Sequence, residues 1–124
     1  MNFSSILIGS ADPQRLADYS TKLFGTPAMT NESYTGWPHG TGFVTVGSHD
    51  QVTGKNVHPG RLIWNIETTD VPGEFARMKT AGAIVVPEPY TFEGAPESWV
   101  ATLADPDDNY FQLTAPMMPI DSDG

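Results

Sequence analysis

Few residues of this 124-residue chain have the type and spacing that catalysis requires. The three histidines, His39, His49 and His58, lie in segments rich in glycine, proline and polar residues, and their spacing matches no short metal-binding motif. The sequence contains no nucleophile–base pattern, no phosphate-binding glycine loop and no dinucleotide fingerprint. His49 falls in a predicted hairpin turn and His58 in a predicted linker, where solvated histidines are expected. Acid–base chemistry would therefore depend on His39 or on a carboxylate.

Composition and charge exclude several classes of protein. Six Lys and Arg stand against fifteen Asp and Glu, so the net charge is -9. Nucleic-acid binding needs a basic face that six scattered cations do not supply. An acidic protein favours cationic ligands through its field, although solubility is the simpler reason for the charge. The chain has no cysteine and no long apolar run or basic leader, so we expect a cytoplasmic protein without disulfides or a membrane partner.

The two halves of the chain repeat one pattern. An apolar, strand-like run ends at Asp12 and again at Asp70, and the helical segments that follow end at Gly25 and Gly82. Each aspartate can cap its helix through first-turn amides, and each glycine suits a left-handed helix end. Pro13 fits the first helical position, where an N–H is not needed.

Three short extended segments follow each helix, so the predicted order is β, α and three β strands, twice over. These segments are 27–34, 41–46 and 51–55 in the first half, with a hairpin turn at 48–50, and 83–88, 98–103 and 109–114 in the second half. The prediction is an α+β fold in one domain, residues 1–116. Its parts are module one at 1–55, a linker at 56–60, module two at 61–116 and then a flexible tail at 117–124.

Two segments carry a family resemblance. The first helix contains Tyr19 and ends in Leu23-Phe24-Gly25, and the segment Asp105-Pro106-Asp107-Asp108-Asn109 precedes the last strand. In these features the chain resembles the vicinal oxygen chelate superfamily (glyoxalases, bleomycin resistance proteins and extradiol dioxygenases), whose closing turn reads Asp-Pro-Asp-Gly-Asn. The resemblance implies two βαβββ modules that form a cupped mixed sheet around a cavity. Because members of this length often dimerise, it also implies a homodimer.

In metal-using members of the superfamily, His, Glu or Gln ligands come from the first and last strands of each module. The corresponding positions here are Ser5, Ile63, the neighbourhood of Thr53, and Gln112. Isoleucine cannot ligate a metal, and serine, threonine and a single neutral glutamine are poor ligands for zinc, iron or nickel. We therefore predict no metal site and no cofactor, and a divalent metal is disfavoured.

Strand alternation predicts which side chains face the cup. If Ile6, Ile8, Trp64 and Ile66 pack under the helices, their neighbours face the cavity, and aromatic residues collect at its mouth. The predicted ligand-binding residues are Ser5, Leu7, Trp37, Ile63, Asn65, Glu67, Tyr90, Phe92, Trp99, Tyr110 and Gln112. The alternative is that the aromatic residues are core or dimer contacts.

Glu67 and His39 are the two candidates for catalysis. Glu67, facing a partly apolar cup, could act as a base or pair with a cationic ligand; alternatively it is an exposed carboxylate at a strand end. His39 could fold over the rim of the cup and contact a ligand.

Three functions remain open at this point. The first is a metal-free protein that binds a small molecule in the manner of bleomycin resistance proteins. The second is an enzyme of the lyase, isomerase or dioxygenase type with a non-standard site. The third is a structural or regulatory module with a vestigial cavity.

Overall fold

The fold consists of two mixed sheets, each carrying one helix, in a computed structural model that describes residues 1–116. The first half has the order β, α, β, β, β, and the second half repeats it with one extra short strand. This confirms the predicted α+β fold. The elements are β1 (Ser5–Gly9), α1 (Pro13–Phe24), β2 (Met29–Thr30), β3 (Tyr34–His39), β4 (Gly42–Gly47), β5 (Ile63–Glu67), α2 (Val71–Thr80), β6 (Ile84–Val85), β7 (Tyr90–Phe92), β8 (Ala95–Ala104) and β9 (Tyr110–Thr114). Within residues 1–116, no helix is long and apolar enough to cross a bilayer.

The two sheets share one topology. The strand orders are β1-β4-β3-β2 and β5-β9-β8-β6, with β7 also paired to β8. In each sheet the first strand pairs in parallel with the last strand of its module, β1 with β4 and β5 with β9. The other pairs are antiparallel. The first strand of each module is therefore an edge strand.

Both helices begin where the sequence predicts. The Asp12 carboxylate accepts a hydrogen bond from the Arg15 N–H at 3.2 Å, and the Asp70 carboxylate accepts one from the Gly73 N–H at 3.0 Å. At position 73 a Cβ atom would overlap the Asp70 carboxylate, so glycine permits this cap. After α1 the chain leaves through Gly25 with φ of 89°, a conformation that only glycine adopts without cost.

Two apolar clusters lie between the helices and the sheets, and α1 contributes to both. Leu16 of α1 packs with Trp37 and Val46 in the first module, whereas Leu23 of the same helix packs into the second module. The second cluster consists of Leu23, Val71, Phe75, Met78, Ala101, Leu103, Phe111 and Leu113. Burying one such leucine stabilises the fold by about 2 kcal/mol. Because its side chains enter both clusters, α1 joins the two modules.

The first-module strands differ from the prediction. Residues 51–55 form no strand, and the hairpin instead pairs β3 with β4 through a turn at Gly40, whose φ is 60°. The predicted strand at 27–34 is reduced to two residues, Met29 and Thr30. The polar residues 48–50 were predicted to form this turn. The turn lies eight to ten residues earlier, because Gly40 can adopt the left-handed conformation that it requires. The predicted tail at 117–124 lies outside the described residues.

The turn between β8 and β9 is built on the buried Asp105 carboxylate. Its Oδ1 accepts hydrogen bonds from the N–H groups of Asp107 at 2.8 Å and Asn109 at 3.0 Å, and its Oδ2 accepts one from Asn109 Nδ2 at 3.0 Å. Burial raises the pKa of the Asp105 carboxyl, and the bonds from Asn109 and Asp107 act in the opposite direction. Asp108 adopts a φ of 64° in this turn.

The same turn holds the first module and the linker. Asp107, which is 3% exposed, accepts hydrogen bonds from Ser10 Oγ at 2.6 Å and from Arg15 Nη2 at 2.9 Å. Asn56 donates its backbone N–H to the Asp107 carbonyl at 2.8 Å and its Nδ2 to Asn109 Oδ1 at 3.1 Å. One short turn thus fixes the relative placement of three parts of the chain.

Candidate functional site

The face of the second sheet that points away from α2, here called the open face, carries a row of polar side chains. Side chains alternate between the faces of a strand, and Phe111 and Leu113 pack on the helix side. Gln112 therefore lies on the open face, together with its strand partners Asn65 on β5 and Thr102 on β8. We call these three residues the polar row.

Hydrogen bonding within the polar row leaves groups available for a ligand. Gln112 Nε2 donates to Thr102 Oγ1 at 3.0 Å, which fixes the orientation of the glutamine amide. A glutamine bonded in this way keeps its carbonyl oxygen as an acceptor. Thr102 is 4% exposed, whereas Asn65 is exposed and its amide offers both donors and an acceptor. The row can therefore recognise a ligand by neutral hydrogen bonds, and it contains neither a charge nor a strong nucleophile.

Residues paired across neighbouring strands form one level of the open face, and the levels on either side of the polar row differ in character. On one side, Ile63 and Tyr110 are strand partners and both are partly buried. On the other side, Glu67 pairs with Thr114, and the glutamate side chain is exposed. The open face therefore changes from apolar and aromatic, through neutral polar, to anionic over three neighbouring levels.

On the first sheet, two aromatic rings cover part of the face that points away from α1. A Cβ atom at Gly36 would overlap the ring of Phe43, and one at Gly47 would overlap the ring of Tyr34 and lie 2.7 Å from the Ser33 carbonyl oxygen. The two rings therefore lie directly on glycine backbone. They therefore occupy part of this face of the first sheet.

The positions at which the resemblance implies a metal do not fit one. Ser5 and Ile63 begin β1 and β5, Thr53 belongs to no strand, and Gln112 is bonded to Thr102. Isoleucine has no donor atom and the other three side chains supply neutral oxygens, which transition metals bind poorly. No group of three or more His, Asp or Glu side chains among residues 1–116 is arranged to hold a metal ion.

Several other predicted ligand-binding residues line two hollows outside the polar row. Leu7 and Tyr110 border a cleft of about 490 Å³ between β1, β5 and residues 51–57. Phe92 and Trp99 border a groove of about 990 Å³ at the end of the second sheet. Tyr90 packs edge-on against Phe92, with 5.6 Å between ring centroids. Ser5, at the start of β1, is exposed.

Trp37 does not line the mouth of a cup. It is 2% exposed, packs beside Leu16 and Val46, and donates its Nε1–H to the Gly25 carbonyl at 2.8 Å. Trp37 lies between the predicted strands 27–34 and 41–46 and was expected at the mouth of the cup, whereas in β3 the alternation of side chains directs it to the helix side. Trp37 is therefore a core residue, as the alternative interpretation of the aromatic residues held.

His39 also lies on the helix side, at the end of β3. The prediction that it folds over the rim of the cup is wrong. Its ring packs edge-on against Phe24 and Trp64, with centroid distances of 4.7 and 5.7 Å. Burial lowers the pKa of His39, which favours the neutral imidazole. His39 and Glu67, the two catalytic candidates, both border a cleft of about 550 Å³ between the end of α1 and α2.

Two residues of these sites, Thr102 and Arg77, were not predicted from the sequence. Thr102 sits between Ala101 and Leu103, so the alternation rule that found Gln112 would have found it on β8 as well. Arg77 reaches the 550 Å³ cleft only through the packing of α2 on the second sheet, which no local pattern encodes.

A sequence profile of the glyoxalase-like domain matches residues 5–114 of the chain. No curated protein sequence matches it.

Solved structures resemble the chain in fold at low sequence identity. A glyoxalase-related enzyme from Fulvimarina pelagi is 17% identical with a TM-score of 0.75, over 100% of this chain and 95% of that chain. A glyoxalase/bleomycin resistance protein/dioxygenase family enzyme from Burkholderia phytofirmans PsJN is 16% identical with a TM-score of 0.72, over 94% and 100%. TioX from Micromonospora sp. ML1 is 18% identical with a TM-score of 0.70, over 94% and 100%. Identities this low establish the shared fold and leave the activity open.

Proposed function

The chain belongs to the glyoxalase-like domain family, and from this premise we propose that it binds a small organic molecule on the open face of the second sheet without a catalytic metal. The observation that carries the proposal is the polar row. Asn65, Gln112 and Thr102 present neutral hydrogen-bonding groups on this face, and Gln112 stands at a position where a metal-using member has a ligand. A few placed polar groups beside apolar and aromatic side chains are typical of small-molecule sites.

The flanking residues indicate the kind of molecule. Tyr110 and Ile63 offer an apolar and aromatic surface on one side of the row, and Glu67 offers a carboxylate on the other. A planar molecule with an amide-like edge would match the neutral row, since amides pair donor with acceptor. A positive charge on the Glu67 side would be favoured by that carboxylate and by the net charge of -9.

We propose further that the protein is a homodimer. Within residues 1–116, β1 and β5 each use one edge for pairing, with β4 and β9 respectively, and leave the other edge unpaired. Unpaired strand edges readily associate with another chain. Leu7 and Leu62 nearby are 49% and 79% exposed, and a second copy would cover them. Sedimentation velocity is expected to give a dimer at micromolar concentration, and a monomer at every concentration would contradict this part. A cytoplasmic location and the domain boundaries stay predictions of the sequence.

Metal content is the first test of the proposal. Protein purified without chelator or affinity metal, then exposed to zinc, nickel, iron and manganese, is expected to retain far less than one equivalent by elemental analysis. Near-stoichiometric metal would contradict the proposal and favour an enzyme.

Ligand binding is the second test. A thermal-shift screen of planar aromatic amides should give hits that perturb the NMR side-chain amide resonances of Asn65 and Gln112. Gln112→Leu should abolish binding of these compounds. Gln14→Leu is the matched control, because Gln14 is an exposed glutamine on α1. Hits that bind both variants equally, or that leave both amides unperturbed, would contradict the assignment to the open face.

A further inference from the structure

We propose a second ligand site, in the 550 Å³ cleft between the end of α1 and α2, that binds an organic ammonium ion. We call this hollow the interhelix cleft. Ile66 and Leu113 contribute to it from the helix side of the second sheet, and Leu23, Phe24 and Met78 contribute from the helices. The cleft and the polar row therefore lie on opposite sides of one sheet. The inference does not depend on the function proposed above.

The first observation is a polar atom that the fold leaves without a partner. His39 Nε2 is buried and has no hydrogen-bond partner among residues 1–116. Leaving such an atom unsatisfied costs about 1–3 kcal/mol, so the position needs a reason. With the proton on Nδ1, Nε2 of the neutral imidazole is a lone-pair acceptor, and an N–H donor from a ligand would satisfy it.

The second observation is an excess of acceptors over donors in the cleft. The polar residues that border it are His39, Glu67, Thr68, Glu74 and Arg77. Arg77, the single cation among them, already donates its Nε and Nη2 to Glu74 Oε2, at 2.9 and 2.7 Å. With this pair neutralised internally, the Glu67 carboxylate leaves the cleft with a negative charge and several acceptor atoms. A ligand that complements it is a donor-rich cation.

The third observation is the apolar wall. Phe24, Pro38 and Met78 form it, and Phe24 presents an aromatic ring beside the acceptors. An ammonium near an aromatic face gains a cation–π attraction, and a short hydrocarbon body attached to the nitrogen can cover the wall. A divalent metal fits less well, since Glu74 is engaged by Arg77 and no metal-holding group of side chains occurs in residues 1–116. The chemical class is therefore a primary amine on a compact apolar body.

Glu67 connects the two faces. It is the last residue of β5, an edge strand, and its exposed side chain borders the interhelix cleft as well as the end of the open face. A variant at Glu67 alone therefore does not separate the two sites. His39 belongs to the cleft only, and Gln112 belongs to the open face only, so these two residues distinguish them.

The test is an NMR titration of the full chain with 2-phenylethylammonium, with 3-phenylpropionate as a probe of similar size and opposite charge. The expected result is saturable change in the His39 imidazole resonances with the ammonium and none with the carboxylate. Glu67→Gln and His39→Phe should each weaken binding by at least about tenfold, the scale of one lost hydrogen bond to a charged group. Gln112→Leu and Glu93→Gln should leave the affinity unchanged.

Three outcomes would overturn the proposal. The first is equal binding of the carboxylate and the ammonium. The second is unchanged affinity in both Glu67→Gln and His39→Phe, with the fold of each variant verified by its amide spectrum. The third is a response confined to the Asn65 and Gln112 amides, which would place the ammonium on the open face. Failure of planar amides to bind the open face would leave the interhelix cleft unaffected, so the two proposals fail separately.

Discussion

Two groups of polar residues on the second sheet, the β8–β9 turn and the polar row, differ in how completely their hydrogen bonds are used. In the turn, both oxygens of Asp105 and both oxygens of Asp107 accept bonds from other parts of the chain. In the polar row, the Gln112–Thr102 bond leaves the Gln112 carbonyl oxygen available. Saturated groups hold a fold together, whereas groups with spare capacity can serve a ligand. This difference separates residues that a similar polarity would otherwise place in one class.

The largest expected effect concerns the turn. Asp107→Ala removes the acceptor of Ser10 and Arg15 and should lower the free energy of unfolding by about 3 kcal/mol, the lower end for a broken buried ion pair, since Arg15 is half-exposed. Urea unfolding measures this change. Glu93→Ala, at an exposed glutamate, is the control and should change stability by less than about 0.5 kcal/mol. A loss below about 1 kcal/mol for Asp107→Ala would mean that the turn is not a structural junction.

Substitution in the polar row should have a much smaller effect on stability. Gln112→Leu removes one neutral hydrogen bond and leaves the Thr102 hydroxyl without that donor, while it adds apolar surface. We expect the free energy of unfolding to fall by no more than about 1 kcal/mol. Urea unfolding beside Asp107→Ala gives the comparison directly. A loss as large as that of Asp107→Ala would make the row structural and would erase the distinction between the two regions.

His39 represents a third condition, a buried polar atom without a partner, and its effect depends on pH. Burial lowers the pKa of native His39 below the ordinary value of 6.5, so the unfolded chain takes up a proton first as pH falls. Stability should therefore decline below pH 6.5 until the native histidine also protonates. Glu67, Glu74 and Arg77 border the same cleft and act on its charge.

His39→Phe should remove this part of the pH dependence. The free energy of unfolding of the parent and of the variant can be measured between about pH 5 and 8. As the pH falls through this range, the parent should lose stability relative to the variant. His58→Gln, at an exposed histidine, provides the control. A parent curve that rises relative to the variant as pH falls would show that native His39 is stabilised in its charged form.

The smallest expected effect lies within the turn itself. Asp108 has a φ of 64°, which glycine adopts more easily than aspartate. Asp108→Gly should raise the free energy of unfolding by about 0.5 kcal/mol, because relief of strain slightly exceeds the added entropy of the unfolded chain. Differential scanning calorimetry would register it. A loss of stability would show that the Asp108 side chain makes a contribution of its own.

Local signals made the helices predictable. Asp12 and Pro13 mark the start of α1 and Gly25 marks its end, because each acts through the backbone of its immediate neighbours. The β3–β4 hairpin was less predictable. Its turn depends on the left-handed Gly40, and the sequence has several glycine and polar clusters nearby that compete for the same role.

The candidate site could be predicted only one strand at a time. Alternation placed Asn65 and Gln112 on one face of their strands. Their position beside Thr102 depends on the register between the strands, which is set by non-local packing. The meeting of Phe24, His39 and Trp64 is also non-local, since the three residues come from α1, β3 and β5. No short-range pattern could have shown that His39 would be enclosed by rings.

The sharing of α1 between two apolar clusters has a consequence for protein synthesis. Leu23 is covered by residues of β8 and β9, and the bond from Ser10 to Asp107 spans 97 positions of the chain. A nascent chain that has released only the first module therefore exposes Leu23 and has no partner for Ser10 on the turn. Such uncovered apolar surface is what chaperones recognise on incomplete chains. During synthesis, the first module therefore cannot complete its packing until the second module has left the ribosome.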